Sequence, residues 1–114
     1  METMRRLEQI DKIFKALADS NRRKLLDLLY INNGQTLSEL CKHLDMTRQA
    51  VTKHLVILEE ANLVVVEWKG REKLHYLNPI PISEVYHRWI SKYDHHRMES
   101  LNELKNNLEE ERKK

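Results

Sequence analysis

Apolar residues recur at helical spacing through the first half of the chain. Met4, Leu7, Ile10, Phe14 and Leu17 fall three or four apart and predict a first helix over about Met4 to Ala18. Asp19-Ser20-Asn21 breaks it and caps a second helix that reaches Tyr30 or Ile31, with Leu25, Leu26, Leu28 and Leu29 on its inner side. Arg22, Arg23 and Lys24 crowd the first turn of that helix, where the helix dipole disfavours positive charge. Asn32-Asn33-Gly34 ends it. Thr36 and Glu39 form a T-x-x-E capping box, and Leu37, Leu40, Cys41 and Leu44 follow at i, i+3, i+4 and i+7, a third helix. After a short turn at Asp45-Met46, Thr47 caps a fourth helix to about Ala61. Val51, Leu55 and Leu58 face inward there, and Asn62 is the terminator.

The period then changes. Leu63-Val64-Val65-Val66-Glu67-Trp68 is β-branched and aromatic, Lys69-Gly70-Arg71-Glu72 is a loop, and Lys73-Leu74-His75-Tyr76-Leu77 alternates, which together read as a β-hairpin. Asn78-Pro79-Ile80-Pro81 is rigid punctuation. A long last helix begins near Ile82, with Val85, Tyr86, Trp89, Ile90, Tyr93, Met98, Leu101, Leu104 and Leu108 as its apolar positions. The expected fold is mainly α with a β-hairpin wing: one domain over 1–114, with a helix-turn-helix at 36–61 and a wing at 63–77. No internal repeat or dividing linker is present.

Composition narrows this further. A length of 114 residues, 40% of them hydrophobic, suits one domain with one core. Two glycines and two prolines fit a mostly helical chain and disfavour glycine-rich phosphate loops. No apolar run exceeds four residues, Leu63 to Val66 being one, so nothing is expected to span a membrane, and the opening Met1-Glu2-Thr3-Met4-Arg5-Arg6 has no signal-peptide core. Cys41 is the sole cysteine, which excludes an internal disulfide and fits a cytoplasmic location. There is no nucleophile with a recognisable base, and Glu59-Glu60 are adjacent and diverge on a helix, so no enzyme is expected.

Net charge is only +2, but its distribution is uneven. Arg48 to Leu58 carries Arg48, Lys53 and His54 and no acid, a local basic face. Helix, short turn, helix, hairpin is the order of a winged helix-turn-helix, in which the second helix enters the major groove of DNA. Its entry residues here are Thr47, Arg48, Gln49, Thr52 and Lys53. Arginine pairs with guanine, glutamine with adenine, and threonine bonds phosphate or base. The hairpin tip offers Lys69, Arg71 and Lys73, with Gly70 letting the backbone turn, to reach flanking phosphate or minor groove. A solvated helix face with a purely structural hairpin, or a winged-helix protein-interaction module without DNA binding, is the competing reading. The polar and basic recognition face argues against the second of these.

Phe14 to Arg23, Leu37 to Leu44, Thr47 to Leu55 and Leu58 to Val64 together resemble ArsR/SmtB-type bacterial repressors, over roughly residues 10–79. The resemblance implies a homodimeric winged-helix repressor that dimerises through its first and last helices, 1–18 and 82–114. It places Thr47, Arg48, Gln49, Thr52, Lys53 and His54 on the DNA face and the wing around Gly70-Arg71. The tail Arg88-Trp89-Ile90-Ser91-Lys92-Tyr93 is similar to the SdpR-like subgroup, which lacks the metal cysteines.

Many members of that family sense metal. The arsenic and cadmium/lead sensors use a Cys-x-Cys pair in the third helix, and the matching positions here are Thr36 and Ser38. Zinc sensors use Asp-x-His followed by a histidine and an acid; Asp94 and His96 match, but the later positions are Asn107 and Glu110. Neither set is complete, and His43, His75 and His87 show no ligand spacing, so no metal or cofactor is expected. A zinc-responsive repressor remains the alternative. Leu101, Leu104 and Leu108 continue a narrow stripe beyond a small winged-helix core, the pattern of a helix–helix seam. Pairing it with Trp89 and Tyr93, and with Leu7, Ile10 and Phe14 of the first helix, across a two-fold axis predicts a homodimer. Its partner would be a duplex operator of approximate inverted symmetry.

Overall fold

The computed structural model describes the backbone of residues 2–91 and 95–113. Helices α1 (Glu2–Leu17), α2 (Ser20–Ile31), α3 (Leu37–Cys41) and α4 (Arg48–Glu60) precede strands β1 (Val64–Lys69) and β2 (Glu72–Leu77). Helix α5 (Ile80–Val85), a π-turn (Tyr86–Ile90) and helix α6 (His95–Lys113) follow. The chain divides into two compact units, Met1–Ser83 and Glu84–Lys114. Among the described residues no helix is long and apolar enough to cross a membrane.

The core lies in the first unit. Ile13 and Ala16 of α1, Leu25 and Leu29 of α2, Leu40 of α3 and Val51, Leu55 and Leu58 of α4 are buried, closed off by Leu63 and Val64. Truncating one of these, Leu58→Ala for instance, removes packing that the surroundings refill only partly, a cost of about 2–5 kcal/mol. The inner row of α1 is Ile13 and Ala16; of the stripe that marked this helix in the sequence, Met4, Leu7 and Phe14 are roughly half exposed or more, and Ile10 and Leu17 are half-buried. Helix α1 thus carries apolar side chains on two faces, one in the core and one outside.

Arg22 and Arg23 sit at the start of α2 but act on the end of α1. Arg22 donates from Nε to the Ala16 carbonyl at 2.8 Å and from Nη2 to that of Lys15 at 2.9 Å, and Arg23 donates to that of Leu17 at 2.7 Å. Those carbonyls are the unsatisfied, negative end of α1, so cations unfavourable for α2 are favourable for its neighbour. Asp19 caps α2, its carboxylate accepting from the Asn21 and Arg22 amides at 2.8 and 3.3 Å.

Helix α3 is shorter than its periodicity predicts. It ends at Cys41, and the next amides, His43 and Leu44, donate three residues back to Leu40 and Cys41 in tighter turns. Helix α4 ends in a Schellman motif. Asn62 has φ 60°, its amide donates to Glu59 at 3.0 Å, and that of Leu63 donates to Leu58 at 2.9 Å.

The hairpin is antiparallel, Val64 facing Leu77 and Lys69 facing Glu72. The predicted four-residue loop is therefore two residues, Gly70-Arg71. Gly70 has φ 64° at the first loop position, where a type II′ turn wants glycine. A bridge that the sequence did not reveal adds a third edge: His75 pairs with Gln35 just before α3. The His75 amide donates to the Gln35 carbonyl at 2.8 Å, and the His75 Nδ1 lies 2.9 Å from the same oxygen. Both residues are buried, and the Gln35 amide group donates to the Leu28 and Asn32 carbonyls.

The long last helix predicted from near Ile82 is segmented. Its first part begins earlier, at Ile80, where Asn78 Oδ1 accepts from the Ile80 amide. It passes into a π-turn in which the Ser91 amide donates to Tyr86 at 3.0 Å, while the Ser91 hydroxyl donates to the His87 carbonyl at 2.6 Å. A side chain that competes for a backbone acceptor in this way favours local departure from the α-helix. The apolar spacing also slips, since five positions separate Tyr93 from Met98. Tyr93 itself lies outside the described residues.

Candidate nucleic-acid interface

Helix α4 is held at its start by Thr47, whose hydroxyl oxygen accepts from the Ala50 amide at 3.2 Å. Val51, Leu55 and Leu58 fix its inner face, so the helical period turns Arg48, Gln49, Thr52 and Lys53 outward together, and all four are exposed. No acid occupies its first turn. The hydroxyl groups have distinct chemistry. Thr47 uses its oxygen within the cap, which leaves its proton to donate. Thr52 donates its proton to the Arg48 carbonyl at 2.9 Å, which leaves its lone pairs to accept. Arg48 is pre-aimed across the front of the motif, donating from Nη1 to Ser38 Oγ of α3 at 3.1 Å.

Across from this face stands the wing. A groove of about 490 Å³ separates the two, with Ser38, Arg48 and Thr52 on one wall and Trp68, Arg71 and Lys73 on the other. Trp68 and Lys73 are cross-strand partners and so share a face of the hairpin. Arg71 is at the tip and exposed, with Lys69 and Gly70 beside it. Lys73 lies down the strand rather than at the tip, its Nζ 3.9 Å from Glu59 Oε1 of α4. Both members of that pair are partly exposed, so it is worth about 0–1 kcal/mol and is readily exchanged for another anion.

His54 does not join this face. It is half-buried, and its Nδ1 lies 3.3 Å from Arg22 Nη1, on the side of α4 that meets the α1–α2 joint. Sequence reasoning passed over three residues here: Ser38, which anchors Arg48; Trp68, 65% exposed at the edge of the groove; and Arg22. Trp68 was legible in principle, as a large side chain at the wing end of an alternating strand, beyond where the core can cover it.

Thr36 and Ser38, which stand where metal sensors carry thiols, are engaged otherwise. Thr36 caps α3, accepting from the Glu39 amide at 3.2 Å and donating to the Glu39 carboxylate at 3.1 Å, and Ser38 accepts from Arg48. Cys41 is half-buried on α3. Asp94 and the His96 side chain lie outside the described residues.

Comparison with known proteins agrees with this geometry. A helix-turn-helix domain family matches residues 17–67. The HTH-type transcriptional regulator YuzN of Bacillus subtilis is 43% identical over 86 residues, covering 70% of this chain and 94% of that protein. The transcriptional repressor SdpR of the same organism is 32% identical, covering 60% of this chain and 76% of its own length. The crystal structure of an ArsR family transcriptional regulator superposes with a TM-score of 0.66 at 33% identity, covering 75% of this chain and 86% of that one. The chain therefore belongs to the ArsR family of winged helix-turn-helix transcriptional repressors, DNA-binding regulators rather than enzymes.

Proposed function

We propose that this repressor acts in the cytoplasm as a homodimer on a duplex operator of approximate inverted symmetry. In this reading 1–114 works as one module, α4 reads base edges, and the wing holds the flanking backbone. The observation that carries it is the outward alignment of Arg48, Gln49, Thr52 and Lys53 on a capped helix, with Arg71 across a groove from Arg48 and Thr52. Arg48 suits the O6 and N7 edge of guanine, and Gln49 the N6 and N7 edge of adenine. Thr47, Lys53, Lys69 and Lys73 suit phosphate, Lys73 by leaving Glu59. With the Thr36 and Ser38 hydroxyls committed to the cap and to Arg48, we infer that α3 does not gate this binding through metal.

Binding titrations at several salt concentrations test the assignment. Arg48→Ala and Gln49→Ala are each expected to weaken specific binding by about 1–3 kcal/mol while leaving random duplex nearly unaffected. Arg71→Ala is expected to weaken both and to reduce the slope of log affinity against log salt by about one. Unchanged affinity in all three variants would remove the DNA-face assignment.

A further inference from the structure

The inner row of β1 runs on past the core. Val64, Val66 and Trp68 share one face of the strand, and burial falls along it: Val64 is 2% exposed, Val66 half-buried and Trp68 65% exposed. The row thus ends on a tryptophan where the core no longer covers it. Among the described residues no hydrogen bond, ion pair or ring contact engages the Trp68 indole.

Trp68 is not an isolated apolar residue. It lines the groove between α4 and the wing together with Val56 of α4, itself 46% exposed. Arg48, Arg71 and Lys73 stand around this apolar pair. Two carboxylates share the groove: Glu59, which pairs with Lys73, and Glu72, which faces Lys69 across the turn. Neither Arg48 nor Arg71 has a carboxylate partner among the described residues. Cations set beside apolar surface suit a partner that alternates the two chemistries itself. The backbone of a DNA strand does so, since each phosphate is followed by a deoxyribose with apolar ring carbons. If α4 lies in the major groove and the wing reaches the adjacent minor groove, the strand dividing the two grooves passes between helix and wing. Tryptophan offers that strand an apolar body with a single donor at its edge.

We propose that Trp68 is a DNA-contacting residue of the wing: its indole packs on a deoxyribose of the strand held between α4 and the hairpin, and its N–H donates to a neighbouring phosphate. The inference rests on the reading of α4 as the helix that enters DNA, and adds to the wing an apolar contact beside its cations. The two kinds of contact differ measurably. A lysine or arginine on phosphate releases counterions and so sets the salt dependence of binding, whereas an indole neutralises nothing. Sugar and phosphate are the same in every sequence, so the contact strengthens binding without specifying it.

The experiment uses the full chain, a duplex that it has selected from a random library, and a random-sequence duplex of the same length. Trp68→Ala should weaken binding to both by the same factor, roughly tenfold, and leave the slope of log affinity against log salt unchanged. Trp68→Phe, which keeps an aromatic face, should lose less. A slope that falls by about one would mean that the substitution acts through a displaced Arg71 or Lys73, and overturns the proposal. So does a loss confined to the selected duplex, which would make Trp68 a reader of bases, and so does unchanged affinity. A second measurement needs no alanine variant. The chain has two tryptophans, so the 5-fluorotryptophan-labelled protein should give two fluorine NMR signals, that of residue 68 assigned by its loss in Trp68→Phe. The Trp68 signal should show a solvent isotope shift in the free protein and lose it on either duplex. Persistence of the shift in the complex overturns the proposal. Its absence from the free protein does too, because a second copy or the wing itself would then cover the indole. Specific binding that ignores both Arg48→Ala and Gln49→Ala would defeat the underlying reading of α4, and the proposal with it. Arg48-dependent binding with Trp68 still open to solvent would defeat the Trp68 contact alone.

Discussion

Among the described residues three carry positive φ, and each answers a different demand. Gly70 (φ 64°) meets nothing within 4 Å of where a Cβ would stand, so only the turn requires glycine there. Asn62 (φ 60°) tolerates the left-handed region as C′ of α4, where Leu63 and Leu58, both fully buried, complete the motif. Gly34 (φ 80°) answers two demands at once. A Cβ there would stand 2.9 Å from Tyr76 Cε1 and 3.1 Å from its hydroxyl, and its amide donates to the His75 carbonyl at 2.9 Å. Relieving the clash requires the far end of the Tyr76 ring to move, beside the Gln35–His75 bridge, on top of the strain of a side chain at positive φ. Gly34→Ala should therefore destabilise by about 2–3 kcal/mol, and Gly70→Ala by about 1 kcal/mol, since it incurs backbone strain alone. Urea melts of the two variants decide this; equal midpoints would refute the double demand at Gly34.

At the level of elements, what depends on neighbours in sequence was legible and what depends on distant partners was not. The Thr36–Glu39 box, the Thr47 cap and the inward face Val51, Leu55 and Leu58 were all readable because each is set by residues within two turns. The outward recognition face followed from the same period. The Gln35–His75 bridge joins residues forty apart and has no periodic signature. The contact of His54 with Arg22 joins residues thirty-two apart and has no periodic signature either. Arg22 and Arg23 looked unfavourable against the dipole of α2 because the carbonyls they serve belong to α1. Asp19 makes that joint sensitive to acid. Partial desolvation pulls its pKa upward, but hydrogen bonds from the Arg22 and Asn21 amides and the charges of Arg22 and His54 outweigh it and hold the carboxyl below its ordinary value. A group depressed on folding stabilises the protein above its unfolded pKa, and that stabilisation is lost as pH falls through the folded one. Asp19→Asn should thus lower the melting temperature at neutral pH and melt less steeply with acid below about pH 4. Parallel acid profiles for the two proteins would count against the role given to Asp19.

For the whole molecule, two of the helices carry large apolar side chains in a row on the outside. On α1 they are Met4, Leu7 and Phe14; on α6 they are Leu101, Leu104 and Leu108, at 66%, 56% and 53% exposure. A stripe with three–four spacing and polar flanks is narrow, as a seam between two helices is, and unlike the broad face of a helix lying on a core. Lys105, Glu109 and Arg112 border the α6 stripe with both signs of charge, which suits a second copy better than a surface of one sign. A second copy would also cover Met4, Leu7 and Phe14, which α1 leaves outside while Ile13 and Ala16 face the core. Two-fold pairing would set two α4 helices about 34–36 Å apart, one turn of DNA, so that each reads a half-site. Affinity for the operator then depends on dimerisation, whereas affinity for random duplex, which arises from phosphate contacts, depends on it less. A chain ending after Met98 should therefore dimerise more weakly and lose operator affinity by a larger factor than affinity for random DNA. Sedimentation of both proteins at micromolar concentration, run beside the same two titrations, decides the matter. A full-length monomer, or equal losses on the two DNAs, would refute the symmetric arrangement.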